Sequence, residues 1–222
     1  MNRVALVEPE RLAGWFDRFG RRHGGVVRTD LAADRVVVHA ADRAAAEVAV
    51  PFGPLVTAGD ELAATAERTV AGLAVDDLIA HALRPRRVAL LLVRLGGHSA
   101  GVAVGGTVVL SATDRRLVHG RHRAGGSSSA RFARRRDGQA RVALQAAADT
   151  AARVLLPELG SVDAVVLGGD RRAIDRLRAD RRLAPLFARA TGAVLDLPEP
   201  RRRVLDDAAR LARCARITVI EP

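Results

Sequence analysis

The sequence predicts an α/β chain: a mixed sheet flanked by helices, preceded by a small α+β N-terminal region. Two observations predict it. After residue 86, strand-like and helix-like segments alternate, the pattern of an α/β layer. Before it, an amphipathic helix is followed by short alternating segments that read as a small antiparallel sheet. Apolar residues make up 49% of the 222 positions, enough to bury a sizeable core. The boundary between 1–85 and 86–222 is therefore read as a change of pattern.

Residues 8–23 read as the first helix, because Leu12, Trp15, Phe16 and Phe19 stand at i, i+3, i+4 and i+7. Gly24 and Gly25 end it. Segments 26–28, 35–39 and 46–50 predict the sheet, 51–59 a connection, and 73–83 a helix stopped by Pro85. The apolar run within 88–95 predicts a buried central strand. Strands at 99–104 and 107–111 join at Gly105-Gly106, a hairpin signal, and 115–121 reads as a further extended piece. A loop at 124–129 leads into a long helix over 129–156. Its apolar stripe includes Phe132, Ala140, Ala143, Leu144, Ala147, Ala151 and Val154. A strand at 162–167, a helix at 170–179 capped by Asp170 and a helical piece at 183–190 follow. A strand at 193–197, a helix at 202–213 and a strand at 217–220 complete the second region.

Composition narrows the function classes. The longest apolar run, 88–93, falls far short of the ~20 residues of a membrane span. Residues 1–12 mix charges with Pro9 and hold no apolar leader core. One cysteine, Cys214, excludes an internal disulfide and cannot by itself make a zinc site. A soluble, cytoplasmic chain with no metal is expected.

The formal net charge is +11, and every basic residue other than histidine is arginine. A strongly GC-biased coding sequence gives that composition without selection, so placement matters more than content. Between Arg115 and Arg141 stand nine arginines against one acid, Asp137, together with His119 and His122. Such a run is either a solvated face or a surface for phosphates, which guanidinium groups engage bidentately. The candidate RNA contacts are Arg115, Arg116, Arg121, His122, Arg123, Arg131, Arg134, Arg135 and Arg136.

Within that run, Gly125 and Gly126 are followed by Ser127, Ser128 and Ser129 at the opening of the long helix. Paired glycines let a backbone approach another molecule closely. A helix start presents unpaired N–H groups and a positive dipole end to an anion or a developing oxyanion. Serine hydroxyls hold a water, or cap the helix of a loop with no chemistry.

Gly125-Gly126, followed at fixed distance by Arg131-Phe132-Ala133-Arg134, resembles the Gly-Gly-Gln loop and following helix of the eukaryotic and archaeal class 1 release factors. The likeness runs on to Val165-Val166-Leu167-Gly168-Gly169-Asp170. The chain as a whole is similar to the actinobacterial Vms-like release factors, the VLRF family, on phrases such as Val93-Arg-Leu-Gly-Gly-His98 and Leu117-Val-His-Gly120. The resemblance implies a release-factor middle-domain-like sheet over 86–222. It also implies hydrolysis of the ester joining a nascent peptide to tRNA on stalled ribosomal complexes, with Gly125, Gly126, Ser127, Ser128 and Ser129 at the chemical step. The implied partners are the large ribosomal subunit, peptidyl-tRNA and ribosomal RNA phosphates. No cofactor, metal or membrane is implied, and the chain is expected to be a monomer off the ribosome.

One departure bears on the chemistry. The family's loop glutamine falls on Ser127 in the ungapped register, or on Ser128 or Ser129 if shifted. Gln139 lies about 15 Å further along the helix axis. Two readings follow: a hydrolase driven by backbone donors of the loop, or a catalytically weakened or inactive ribosome- or tRNA-binding factor. General RNA binding without ribosomes is a third.

The remaining polar residues have plainer readings. His98, His119 and His122 lack metal-ligand spacing, and Gly168-Gly169-Asp170 lacks the nucleotide-binding glycine spacing. Asp76-Asp77 and Asp206-Asp207 are neighbours whose side chains diverge by about 100° on a helix. Trp15, Phe16 and Phe19 read as core, and Cys214 as a small buried residue.

Overall fold

The computed structural model describes residues 2–56, 67–94, 96–115 and 128–222, with side chains given outside 128–136. In chain order the elements are β1 (Arg3–Val7), α1 (Leu12–Arg22), β2 (Val26–Leu31), β3 (Arg35–Ala40), β4 (Ala45–Ala49), β5 (Arg68–Ala71) and α2 (Asp76–Leu83). There follow β6 (Arg87–Arg94), β7 (Gly97–Val104), β8 (Thr107–Arg115), α3 (Ser128–Leu155), β9 (Ala164–Gly169) and α4 (Arg171–Leu177). Last come α5 (Ala184–Ala188), α6 (Arg202–Leu211) and β10 (Ala215–Ile220). The fold class is mixed α/β, as the sequence predicts.

Two compact units emerge, Met1–Pro85 with Arg213–Pro222, and Arg86–Ala212. The first holds a six-stranded antiparallel sheet in the order β1-β10-β4-β3-β2-β5. Period-two alternation turns Val36, Val38, Val48, Ile217 and Val219 to one face, where they bury Leu12, Phe16 and Phe19 of α1 and Leu78 of α2. Trp15 packs against this core only in part. The strand expected at 217–220 is present, but not in the second region. It is β10, which sits between β1 and β4, because its alternate residues Ala215, Ile217 and Val219 are buried and match a sheet covered on one face. β1 and β5 have no counterpart in the sequence reading.

The second unit holds a four-stranded sheet in the order β8-β7-β6-β9. It is mixed: β7 is antiparallel to β6 and β8, while β9 runs parallel to β6. β6 is buried along its length, as its apolar run requires. Ala89, Leu91 and Val93 join a core with α3 and α4, while α6 packs on the sheet through Leu205, which lies against Gly101. The β7–β8 hairpin turns at Gly105 and Gly106, both at positive φ. Asp170 caps α4 by accepting from the Arg172 N–H at 2.9 Å.

The strand expected at 193–197 does not form. Leu195 makes a single parallel bridge to Gly168, its N–H donating to Leu167 and its carbonyl accepting from Gly169. Pro198 and Pro200 follow at once, and neither has an N–H to extend a ladder.

Candidate functional site

Four strand ends meet at one edge of the second sheet. Arg94 at the end of β6 pairs with Gly97 at the start of β7, and Gly97 pairs with Arg115, the last residue of β8. Val93 pairs with Gly169 at the end of β9. Segment 116–127 continues the chain from this edge. It carries Gly125, Gly126, Ser127, Arg116, His119, Arg121, His122 and Arg123, and lies outside the described residues, as does the extended piece expected to 121. Ser128 and Ser129 open α3. Arg131, Arg134 and Arg135 follow on it at i, i+3 and i+4, one face of a helix, with Arg136 next.

The described elements on either side of this segment are held to the sheet by hydrogen bonds. On the strand side, the Ser99 and Thr113 hydroxyls hydrogen-bond across β7 and β8 at 2.8 Å. On the helix side, Nε2 of the buried His98 meets the Thr150 hydroxyl at 2.9 Å and pins α3 to β7. His98 is thus a core histidine with a partner. Ala140, Ala143, Ala147, Ala148 and Ala151 are buried, and such small side chains bring a helix backbone close to the sheet. At 1.5 Å per residue, about 33 Å of helix separate Thr150 from Ser128. The helix N-terminus is where backbone N–H groups lack intrahelical acceptors, which suits an anion.

The charge at this edge differs from the local count. Arg115 pairs with Glu199 at 3.0 Å, and Arg201 approaches the same carboxylate at 3.5 Å. Arg94 holds Asp196 at 3.0 Å and donates to the Leu197 carbonyl at 2.5 Å. Arg115, expected to contact phosphate, is therefore partly neutralised from within the chain. Two cations that the sequence reading missed stand at the same end of the sheet, beyond β7 and β6 from Arg115: Arg171 and Arg172, at the start of α4 directly after Gly169 and Asp170, are exposed. Neither makes an ion pair among the described residues. The available signal was the Arg-Arg pair following a strand-ending Gly-Gly-Asp.

Elsewhere the charged groups form ordinary surface pairs. Arg182 lies between Asp149 and Asp180 at 2.8 and 2.7 Å. Hydrogen bonds from it hold both carboxyls below the usual aspartate value. Asp206 pairs with Arg202, and Asp207 with Arg210. Burial pushes the Cys214 thiol up, away from the reactive thiolate. Among the described residues, no group of three or more His, Cys, Asp or Glu side chains is placed to hold a metal. Within the same residues, no helix is long and apolar enough to cross a membrane.

The family model described as the Actinobacteria/Chloroflexi VLRF1 release factor matches residues 86–218. Among solved structures, that of an archaeal translation termination factor, aRF1, is similar at 12% identity with a TM-score of 0.45, over 79% of this chain and 51% of that one. A second, titled only as an archaeal protein, is similar at 12% identity with a TM-score of 0.42, over 77% of this chain and 48% of the other. The chain thus spans about half the length of these structures. No curated protein matches it.

Proposed function

The chain belongs to the VLRF1 release-factor family of Actinobacteria and Chloroflexi, and we propose from that premise that it is a peptidyl-tRNA hydrolase freeing nascent peptides on stalled ribosomal complexes. Membership in a release-factor family implies interaction with the ribosome. The observation that carries the finer reading is the register of Gly125-Gly126 with Arg131-Phe132-Ala133-Arg134, within the segment that the family model matches.

The chemistry asks little of the side chains. An ester held on the large subunit needs a positioned water and donors aimed at the tetrahedral oxyanion, and orientation with electrostatic stabilisation supplies most of the acceleration. Gly125 and Gly126 let the backbone reach the ester, and the hydroxyls and N–H groups of Ser127, Ser128 and Ser129 hold the water. The arginines of the loop and of α3, with Arg171 and Arg172, bind ribosomal and tRNA phosphates. The protein works in the cytoplasm without cofactor or metal, as a monomer off the ribosome.

Serine at all three positions open to the family's glutamine favours a second reading, a ribosome-binding factor with weakened or absent chemistry. Release of labelled peptide from peptidyl-tRNA on isolated large subunits separates the two. For a backbone-driven hydrolase, the wild type releases peptide, Gly126→Ala lowers the rate at least about tenfold, or 1.4 kcal/mol, at matched binding, and Ser128→Gln adds little. Binding without release, restored by Ser128→Gln or Ser129→Gln, establishes the second reading instead.

A further inference from the structure

An open groove of about 210 Å³ lies in the first unit, between the second half of α1 and the β1–β10 edge of its sheet. Two periodicities build it. Trp15, Arg18, Phe19 and Arg22 stand at i, i+3, i+4 and i+7 on α1, one face of a helix. Arg3 and Ala5 on β1, with Val219 and Glu221 at the end of the chain, are alternate residues that meet that face. The small side chain of Ala5 leaves the space. The volume is below the roughly 300–1,000 Å³ of sites that enclose whole drug-sized ligands, so the groove takes one planar ring with its substituents in the open.

Its lining is chemically specific. Trp15 is partly exposed and stacks on Phe19, with centroids 5.6 Å apart and planes within 7°, so the indole is held in a fixed orientation. The Phe19 ring in turn lies against His23, which is fixed by a 2.8 Å hydrogen bond between Nδ1 and Asp42. Arg11, Arg28, Arg35 and Arg213 in the same unit each have a carboxylate partner. Arg3, Arg18 and Arg22 have none among the described residues. Three guanidinium groups thus face the groove against one carboxylate, Glu221. An ordered aromatic face beside uncompensated arginines is the pairing that binds an unstacked base and its phosphate.

We propose that this groove binds one unstacked nucleotide, its base against Trp15 and its phosphate on Arg3, Arg18 and Arg22. The nucleotide is either free or a unit of single-stranded RNA. Binding there does not depend on hydrolysis at the Gly-Gly loop.

Trp15 is the only tryptophan of a chain without tyrosine, so intrinsic fluorescence of the intact protein reads this groove directly. Adenosine monophosphate and a single-stranded oligoadenylate are each expected to quench it saturably. Arg18→Ala combined with Arg22→Ala shifts the midpoint about tenfold or more and leaves the emission and melting of the free protein unchanged. Arg3→Ala, on the opposite wall, shifts it in the same direction. A lower midpoint for the oligonucleotide assigns the site to single-stranded RNA, and equal midpoints assign it to free nucleotide. Four results overturn the proposal: no quenching, quenching indifferent to the arginines, equal quenching by a fully paired duplex, or displacement by inorganic phosphate alone with no response to the nucleotide.

Discussion

Replacing Gly169 by alanine is expected to destabilise the second unit by about 3–5 kcal/mol. Gly169 adopts φ +102°, and a Cβ there would lie 2.2 Å from the Val93 carbonyl oxygen and 2.9 Å from its carbon. These are backbone atoms of the central strand and cannot swing aside. A non-glycine residue at such a φ costs about 1–3 kcal/mol. Relieving the contact also means drawing the end of β9 away from β6. That breaks the 2.8 Å bonds from the Asp170 N–H to Val93 and from the Gly169 N–H to Leu195, at about 1 kcal/mol each. Gly192 supplies the control, with φ +73° and nothing within 4 Å of its Cβ, so Gly192→Ala carries only the backbone cost, about 1–2 kcal/mol. With a urea slope of about 2 kcal/mol/M, Gly169→Ala should unfold about 0.5–2 M below Gly192→Ala. Helical circular dichroism is the assay, since α3 with 28 residues is the longest helix. Equal midpoints for the two variants would refute the reasoning.

Arg182→Gln should lower stability at neutral pH and leave it unchanged in acid. Asp149 and Asp180 titrate below their usual value when folded, so their stabilisation is present above about pH 3.9 and is lost as pH falls through the depressed folded values. Urea midpoints of wild type and variant measured across that range should converge in acid, and a constant gap would contradict the assignment. A fragment spanning 86–218, the family-matched segment, is expected to aggregate where 86–212 stays monomeric. The longer piece carries most of β10 without β1 and β4 to pair with, an unprotected apolar strand; equal sedimentation of the two fragments would count against this.

The sequence announced those elements whose signals are local. The apolar run of β6, the glycine pair of its neighbouring hairpin, the alanine stripe of α3 and the Asp170 cap all lie within a few residues of the structure they specify. β1 was not legible because it has no clean alternation: Val4 and Leu6 are exposed although apolar. Its pairing partner is β10, about two hundred residues away in the chain. β5 is four residues long and largely exposed at a sheet edge, too short to show a period. The apolar residues of 193–197 suggested a strand, but the prolines that follow remove the donors a ladder needs.

The candidate site shows the same limit in its charges. A count along the chain gives nine arginines and one acid between 115 and 141, yet a run in sequence is not a surface. Folding carries Glu199 to Arg115 from a segment more than eighty residues later. It also brings Arg171 and Arg172, absent from that count, to the same end of the sheet as the end of β8, with β7 and β6 between, because β9 runs parallel to β6 and finishes at Gly169. A substitution at Arg115 therefore disturbs an internal ion pair together with any contact to phosphate, so a loss of ribosome binding there has two explanations. Substitutions at Arg171 and Arg172 remove exposed cations with no carboxylate partner among the described residues. Under the proposed function they isolate the phosphate contribution, and the topology of the sheet, more than the density of arginine in the sequence, marks them as the residues through which it is best measured.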